Sequence, residues 1–205
     1  MILDYIRQNY PLGEPIFLSE ITGYSPGYVR QEMKRLTDTG EIERFSSGVY
    51  YLPYTTILGT RGSVSFEKYI EKKFLKSGGK ISGYYTGLTL ANRYGFTTQN
   101  PACMEIKSNG ATTAQRNVSV NGRNVTVYKP AAEINGSNVA ELQFLDLMST
   151  IDRYSEISGK ELAAKLREYV KQTGVKFPTV KKYLPLYPNI TYKNLYDGGL
   201  MNELV

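Results

Sequence analysis

The 205-residue sequence predicts an α+β fold: short helices and hairpins to about residue 130, then helices alone. Three observations carry that expectation. Ile2, Leu3 and Ile6, then Val29, Met33 and Leu36, recur at helical spacing and are separated by short β-prone runs. Asn121-Gly122 stands between Val118-Ser119-Val120 and Val125-Thr126-Val127-Tyr128, and Asn-Gly is the preferred pair for a type I′ hairpin. From about residue 138 onward Val139, Leu142, Leu145, Met148 and Ile151 return to a helical period, and no internal repeat or low-complexity tract interrupts it.

Composition narrows the function classes. A chain that is 41% hydrophobic and 21% charged is ordinary for a globular protein with a core of its own. It has no histidine, which excludes histidine-based triads and metal sites. The single cysteine, Cys103, excludes a disulfide framework or a cysteine-rich zinc site and fits a reducing compartment. No apolar run is long enough to span a bilayer, and Asp4 and Arg7 fall where a signal peptide would need its apolar core. The expectation is a cytoplasmic protein with no membrane partner, no metal and no cofactor. The Asn-x-Ser/Thr sequons at Asn117, Asn124, Asn135 and Asn189 are then chance matches.

Each element of the first fifty residues has a local reason. The helix begun by Ile2 ends at Asn9-Tyr10-Pro11-Leu12-Gly13. Pro15-Ile16-Phe17-Leu18 is extended, Ser19 is placed to cap a short helix through Thr22, and Gly23-Tyr24 turns. Ser25-Pro26 starts a second helix, with serine as N-cap and proline in the first turn, and Gly40 closes it. Glu41-Ile42-Glu43-Arg44-Phe45 and Val49-Tyr50-Tyr51-Leu52 flank Ser46-Ser47-Gly48 as a hairpin.

Helix, short helix, turn, capped helix and hairpin is the order of a winged helix-turn-helix, here assigned to residues 1–53, with a mixed α+β domain over 54–205. On the capped helix Val29, Met33 and Leu36 share the inner face. Gly27, Gln31, Lys34, Arg35 and Asp38 lie opposite, with Tyr28 and Arg30 on the flanks. Arginine and glutamine can form bidentate bonds to base edges in a major groove, while lysine holds phosphates. The candidate DNA contacts are therefore Tyr28, Arg30, Gln31, Lys34 and Arg35 on the helix and Arg44, Ser46 and Ser47 on the wing. The same architecture also serves to dock proteins. Residues 1–53 carry five Lys/Arg against seven Asp/Glu, so Glu14, Glu20, Glu41 and Glu43 must face away from any DNA.

Positive charge lies further on: residues 54–130 hold eleven Lys/Arg against three Asp/Glu, and residues 131–205 nine of each. A basic excess points to a polyanion without identifying it. Ser65 is placed to cap a helix running to Gly78-Gly79, on which Phe66, Ile70 and Phe74 form the apolar stripe. Lys68, Lys72 and Lys76 repeat every four residues on another face and are candidates for a second phosphate contact. A short helix through Thr86-Gly87-Leu88 to Tyr94 stops at Gly95, and Cys103-Met104-Glu105-Ile106-Lys107 alternates as a strand. Asn138 with Glu141 and Ser158 with Glu161 each have capping-box spacing, the second before a helix closed by Gly174. Shorter helices over 179–186 and 191–204 follow, broken by Pro178, Pro185 and Pro188.

Catalytic chemistry leaves little trace. Glu105-x-Lys107 matches the last element of a nuclease motif, but no aspartate lies between Asp38 and Asp146 to supply the upstream metal ligand. The pair reads as a solvent-facing Glu and Lys, and Ser77-Gly78-Gly79-Lys80 as a helix C-terminus rather than a phosphate loop. Cys103 has no histidine partner and reads as a small core residue. A non-enzymatic protein is expected.

The stretch from Ile81 through Ala102 resembles the AbiE-type abortive-infection antitoxins. It does so at Ala91, Asn92, Gly95, Thr97, Thr98, Gln99 and Pro101, with Tyr94 and Phe96 where leucines are usual and Asn100 for a common valine. The motif is a turn-and-core signature, which makes Gln99 structural. The resemblance, over about residues 1–155, implies an autorepressor that binds inverted repeats in its own promoter. It also implies an antitoxin domain countering a nucleotidyltransferase-like toxin without a stable complex. Two other readings remain open: a regulator whose second domain senses a small molecule, and a protein-interaction module.

Overall fold

Residues 1–204 are described by a computed structural model, and they form an α+β protein of two compact units that divide after Lys73. The division falls twenty residues beyond the 53/54 boundary read from composition, because the segment from 54 to 73 builds onto the first unit.

In the first unit, Ile2 and Ile6 fix helix α1 (Ile2–Asn9) against the core. Strand β1 (Ile16–Phe17) leads into a single 3-10 turn, Leu18–Glu20. That turn takes the place of the short Ser19-capped helix: Phe17 precedes it and donates its backbone N–H to the Glu20 carboxylate. Helix α2 (Pro26–Asp38) starts as its sequence dictates, Ser25 Oγ accepting the Tyr28 N–H, and Gly40 beyond its end has φ +77°. Strands β2 (Glu43–Ser46) and β3 (Val49–Tyr51) form the hairpin, and β1 adds to it in the order β1-β3-β2, all antiparallel. Val29, Met33 and Leu36 of α2 join Ile2, Ile6, Ile16, Ile21, Ile42 and Leu52 in the core. A second hairpin, β4 (Tyr54–Thr55) with β5 (Arg61–Gly62), and helix α3 (Phe66–Ile70) complete the unit.

Helix α3 corrects the sequence reading. Ser65 caps it as expected, but after Ile70 the chain widens into a π turn, Glu71–Leu75, and Lys76 already lies on a strand. The four-residue lysine row therefore lies on three different backbones. Ser77-Gly78-Gly79-Lys80 is the turn of a hairpin between β6 (Lys76–Ser77) and β7 (Lys80–Ile81), not a helix end. Gly78 and Gly79, both at positive φ, make that turn accessible.

The second unit is a four-stranded mixed sheet backed by helices. Strands β8 (Gly83–Tyr85), β9 (Met104–Ser108), β10 (Gln115–Val120) and β11 (Arg123–Tyr128) lie in the order β10-β11-β9-β8, with β11 and β9 parallel. Asn121 and Gly122 form the expected tight turn, at φ +50° and +76°. Helix α4 (Gly87–Arg93) precedes β9. Helices α5 (Val139–Tyr154), α6 (Gly159–Thr173), α7 (Phe177–Tyr183) and α8 (Asn189–Asp197) follow the sheet. Leu142, Phe144, Leu145, Leu147, Met148 and Ile151 are all buried, as are Glu141 and Asp146, so α5 is enclosed on most sides and forms the centre of this unit.

Candidate nucleic-acid interface

Helix α2 presents two chemically distinct faces. Val29, Met33 and Leu36 are buried, whereas Tyr28, Arg30, Gln31, Lys34 and Arg35 are exposed. Among the described residues, Arg30, Gln31 and Lys34 make no side-chain hydrogen bond or ion pair, so their donors face solvent. Gly27 leaves open space where a Cβ would stand, so the first turn can approach a ligand closely. Arg35 is held by its own helix: its Nε and Nη2 donate to the two Glu32 oxygens at 2.9 and 2.7 Å. That hydrogen bond draws the Glu32 carboxyl below its ordinary range and raises the guanidinium. Arg35 thus has a fixed direction at the cost of a shared charge.

Sequence reasoning missed Tyr24. Its ring lies 5.8 Å from that of Tyr28, and the two are 40% and 45% exposed, an aromatic pair at the start of α2. Only the Tyr-x-x-x-Tyr spacing hinted at it, and a turn precedes the helix there. Tyr24 and Arg30 also line a cleft of about 280 Å³ floored by Ile21 and Val29. On the hairpin, Arg44 is exposed and its Nε donates to the Ser46 carbonyl at 3.3 Å, across a register shift between the two residues. Ser47 is exposed and Ser46 half-buried.

Of the seven acidic residues in the first fifty-three, Asp38 alone, exposed on the outer face of α2, makes no side-chain hydrogen bond or ion pair among the described residues. Asp4 binds the N-terminal amine and Glu32 binds Arg35. Glu41 takes Arg7 at 2.6 Å, Glu20 takes Lys72 at 3.0 Å, Glu14 takes Lys68 at 3.9 Å, and Glu43 takes both Arg61 and the Tyr51 hydroxyl. Lys72 is the most confined cation of this set. Its Nζ also donates to the Pro15 carbonyl at 2.7 Å and lies 4.7 Å from the centre of the Tyr10 ring. Lys68 and Lys72 therefore complete the first unit internally, while Lys76 lies in the second. Counted by unit, residues 1–73 hold nine Lys/Arg and nine Asp/Glu, and residues 74–205 sixteen and ten.

Glu105 and Lys107 are half-buried, and their charged groups are engaged by internal partners rather than free in solvent. The Glu105 carboxylate accepts the Leu88 N–H at 2.8 Å, at the N-terminus of α4, and the Tyr128 hydroxyl at 3.2 Å. Burial, with Glu105 beside it, pushes the Tyr128 phenol up to about 12. Lys107 Nζ pairs at 2.6 Å with Asp146, which is buried on α5 and also receives the Thr86 hydroxyl at 3.4 Å. Burial raises the Asp146 pKa and Lys107 opposes that rise. These two residues join β9 to α4 and α5; among the described residues no cluster of acidic or cysteine side chains is placed to hold a metal.

The Thr97-Thr98-Gln99 turn has a structural role as well. Thr97 and Thr98 hydroxyls donate to Glu156 at 2.9 Å each, the Thr98 N–H donates to it at 2.8 Å, and Thr97 Oγ1 accepts the Gln99 N–H. No helix among the described residues is long and apolar enough to cross a membrane. No family model and no curated protein matches the chain.

Proposed function

We propose that the chain binds duplex DNA through a winged helix-turn-helix formed by α1, α2 and the β2–β3 hairpin, and represses its own promoter from inverted repeats. The observation that carries this reading is the outer face of α2, where Gln31, Lys34 and Arg30 stand exposed and uncommitted beside an open Gly27. Those side chains match base-edge and phosphate contacts, and ion pairs neutralise Glu14, Glu20, Glu41 and Glu43, which leaves Asp38 as the unpaired carboxylate of that face. The second unit is proposed to be the antitoxin part of an abortive-infection system, cytoplasmic, without catalysis or cofactor of its own. Support for that half is the resemblance at Ala91 through Pro101, and the engagement of Glu105 and Lys107 in internal contacts. Its counterpart would be a nucleotidyltransferase-like toxin met without a stable complex.

A protein-docking reading is favoured by one feature: Ile57 and Leu58, at the tip of the β4–β5 hairpin, are almost wholly exposed. Fluorescence anisotropy separates the two. The DNA upstream of the protein's own reading frame should bind more tightly than scrambled DNA, with a steep salt dependence. Gln31→Ala should cost about 1–3 kcal/mol and relax base preference, whereas Lys34→Ala should weaken all sequences alike. Equal, weak binding to both DNAs would return the unit to protein docking.

A further inference from the structure

We propose that the second unit carries a phosphate-contact patch of its own for the DNA backbone, at one end of the four-stranded sheet, formed by Lys80, Arg116 and Lys129. The inference rests on the DNA-binding reading of the first unit and extends it to a part of the molecule that reading does not use.

The surplus charge lies in the second unit. The first unit is neutral, so the net +6 of the chain belongs to residues 74–205. Within those, residues 131–205 balance, which leaves seven Lys/Arg against Glu105 over 74–130. Internal partners engage several of the seven: Lys107 pairs with Asp146, and the Arg93 guanidinium stacks 3.8 Å from the centre of the Tyr85 ring. Lys76 and Arg123 also interact with neighbours. Among the described residues, Lys80, Arg116 and Lys129 are the ones in this stretch whose side chains have no ion-pair, hydrogen-bond or ring partner, and all three are exposed.

Strand register places Arg116 and Lys129 together, and the chain brings Lys80 to the same end of the sheet on the side of the opposite edge strand, β8. Gly83 at the start of β8 pairs with Ser108 at the end of β9, and Tyr128 at the end of β11 pairs with Lys107, so these termini share one end of the sheet. Lys129 is the next residue after Tyr128, and its N–H continues the ladder to the Ala114 carbonyl. Arg116 lies opposite Val127 on the edge strand β10. Lys80 arrives from β7 two residues before Ser82, whose carbonyl accepts the Asn109 N–H at the same end. The sole carboxylate between Glu71 and Glu133, Glu105, is turned to the N-terminus of α4. Three cations without an ion pair at one sheet end match a run of phosphates, with the exposed Glu133, next to the Ile134 that Asn109 holds at that end, as an acidic neighbour. They make no base-reading claim, because lysine and arginine on phosphates position a protein without specifying sequence.

The test uses the full chain and the same upstream and scrambled duplexes, with anisotropy titrations between about 50 and 200 mM salt. Lys80→Gln, Arg116→Gln and Lys129→Gln are combined, and unchanged circular dichroism confirms folding. Loss of three phosphate contacts flattens the slope of log K against log salt by about 2–3. Over that fourfold range the wild type should then lose about 40-fold more affinity than the variant. The preference for the upstream duplex should be retained. A control removes three exposed lysines elsewhere in the unit, Lys171→Gln, Lys181→Gln and Lys182→Gln, and should leave the slope close to wild type. If the wild type binds selectively and the sheet-end variant keeps its slope, this proposal fails and the winged-helix reading stands. An equal fall in the control also overturns it, since net charge rather than a patch would then be responsible. Absence of any selective binding by the wild type sinks both.

Discussion

Glu156 shows how one side chain can hold a turn whose own sequence looks like a motif. The Thr98 N–H and the Thr97 and Thr98 hydroxyls all donate to it, and those bonds hold its carboxyl below the ordinary value of 4.5. A carboxyl lowered in the native state adds stability above its unfolded value and loses it as pH falls through the native one. Acid denaturation should therefore soften below about pH 4.5, and Glu156→Gln should remove part of that pH dependence in urea melts taken from pH 6 to pH 3. An unchanged acid limb would assign the turn's stability to its backbone alone. The Lys107–Asp146 pair behaves differently because Asp146 is buried and its pKa is raised by that burial. Lys107→Ala leaves a buried carboxylate without its cation, and should cost about 3–5 kcal/mol in chemical denaturation. Replacing both with apolar residues of similar size should recover much of that loss.

At the scale of elements, Gly87 begins α4 at φ +57°, and a Cβ there would stand 2.4 Å from the Glu105 carboxylate. Gly87→Ala should destabilise by about 1–3 kcal/mol, and Glu105→Ala in the same chain should relieve the steric share but not the backbone strain. Signals satisfied within four residues were legible in the sequence: the Ser25 and Ser65 caps, Gly40, the Asn121-Gly122 turn and Gly174. The inner and outer faces of α2 were legible for the same reason, since helical period alone sorts Val29, Met33 and Leu36 from Gln31 and Lys34. Signals that compete with distant partners were not. Glu141 has capping-box spacing from Asn138, yet its carboxylate accepts the Lys176 N–H at the start of α7. Asn138 binds the Glu133 carbonyl and the Tyr183 hydroxyl instead. Ser158 makes no side-chain cap to α6. The lysine row failed because residue spacing reports a period only if the backbone keeps it, and the π turn after Ile70 does not. Lys72 was legible as a cation but not as the partner of Glu20, fifty-two residues away.

The whole molecule has two cores. Met33 is fully buried in the first unit and Leu145 in the second. Truncating either to alanine should cost about 2–5 kcal/mol. In native-state hydrogen exchange, Met33→Ala should lower protection in α1 and α2 while α5 keeps its own, and Leu145→Ala should do the reverse. Equal loss in both would show that the chain unfolds as a single cooperative body.

The partition of charge between the units has a kinetic side. A neutral unit joined to one carrying six positive charges makes the chain a molecule with a built-in polarity. In the field of a polyanion such a body is turned before it touches. The strongly charged part leads, over distances of about a Debye length, roughly 10 Å in 0.1 M salt. On the DNA-binding reading proposed above, encounter and discrimination would fall to different halves of one chain. The charged half would set how often it arrives, and the neutral half, with no long-range pull of its own, how long it stays.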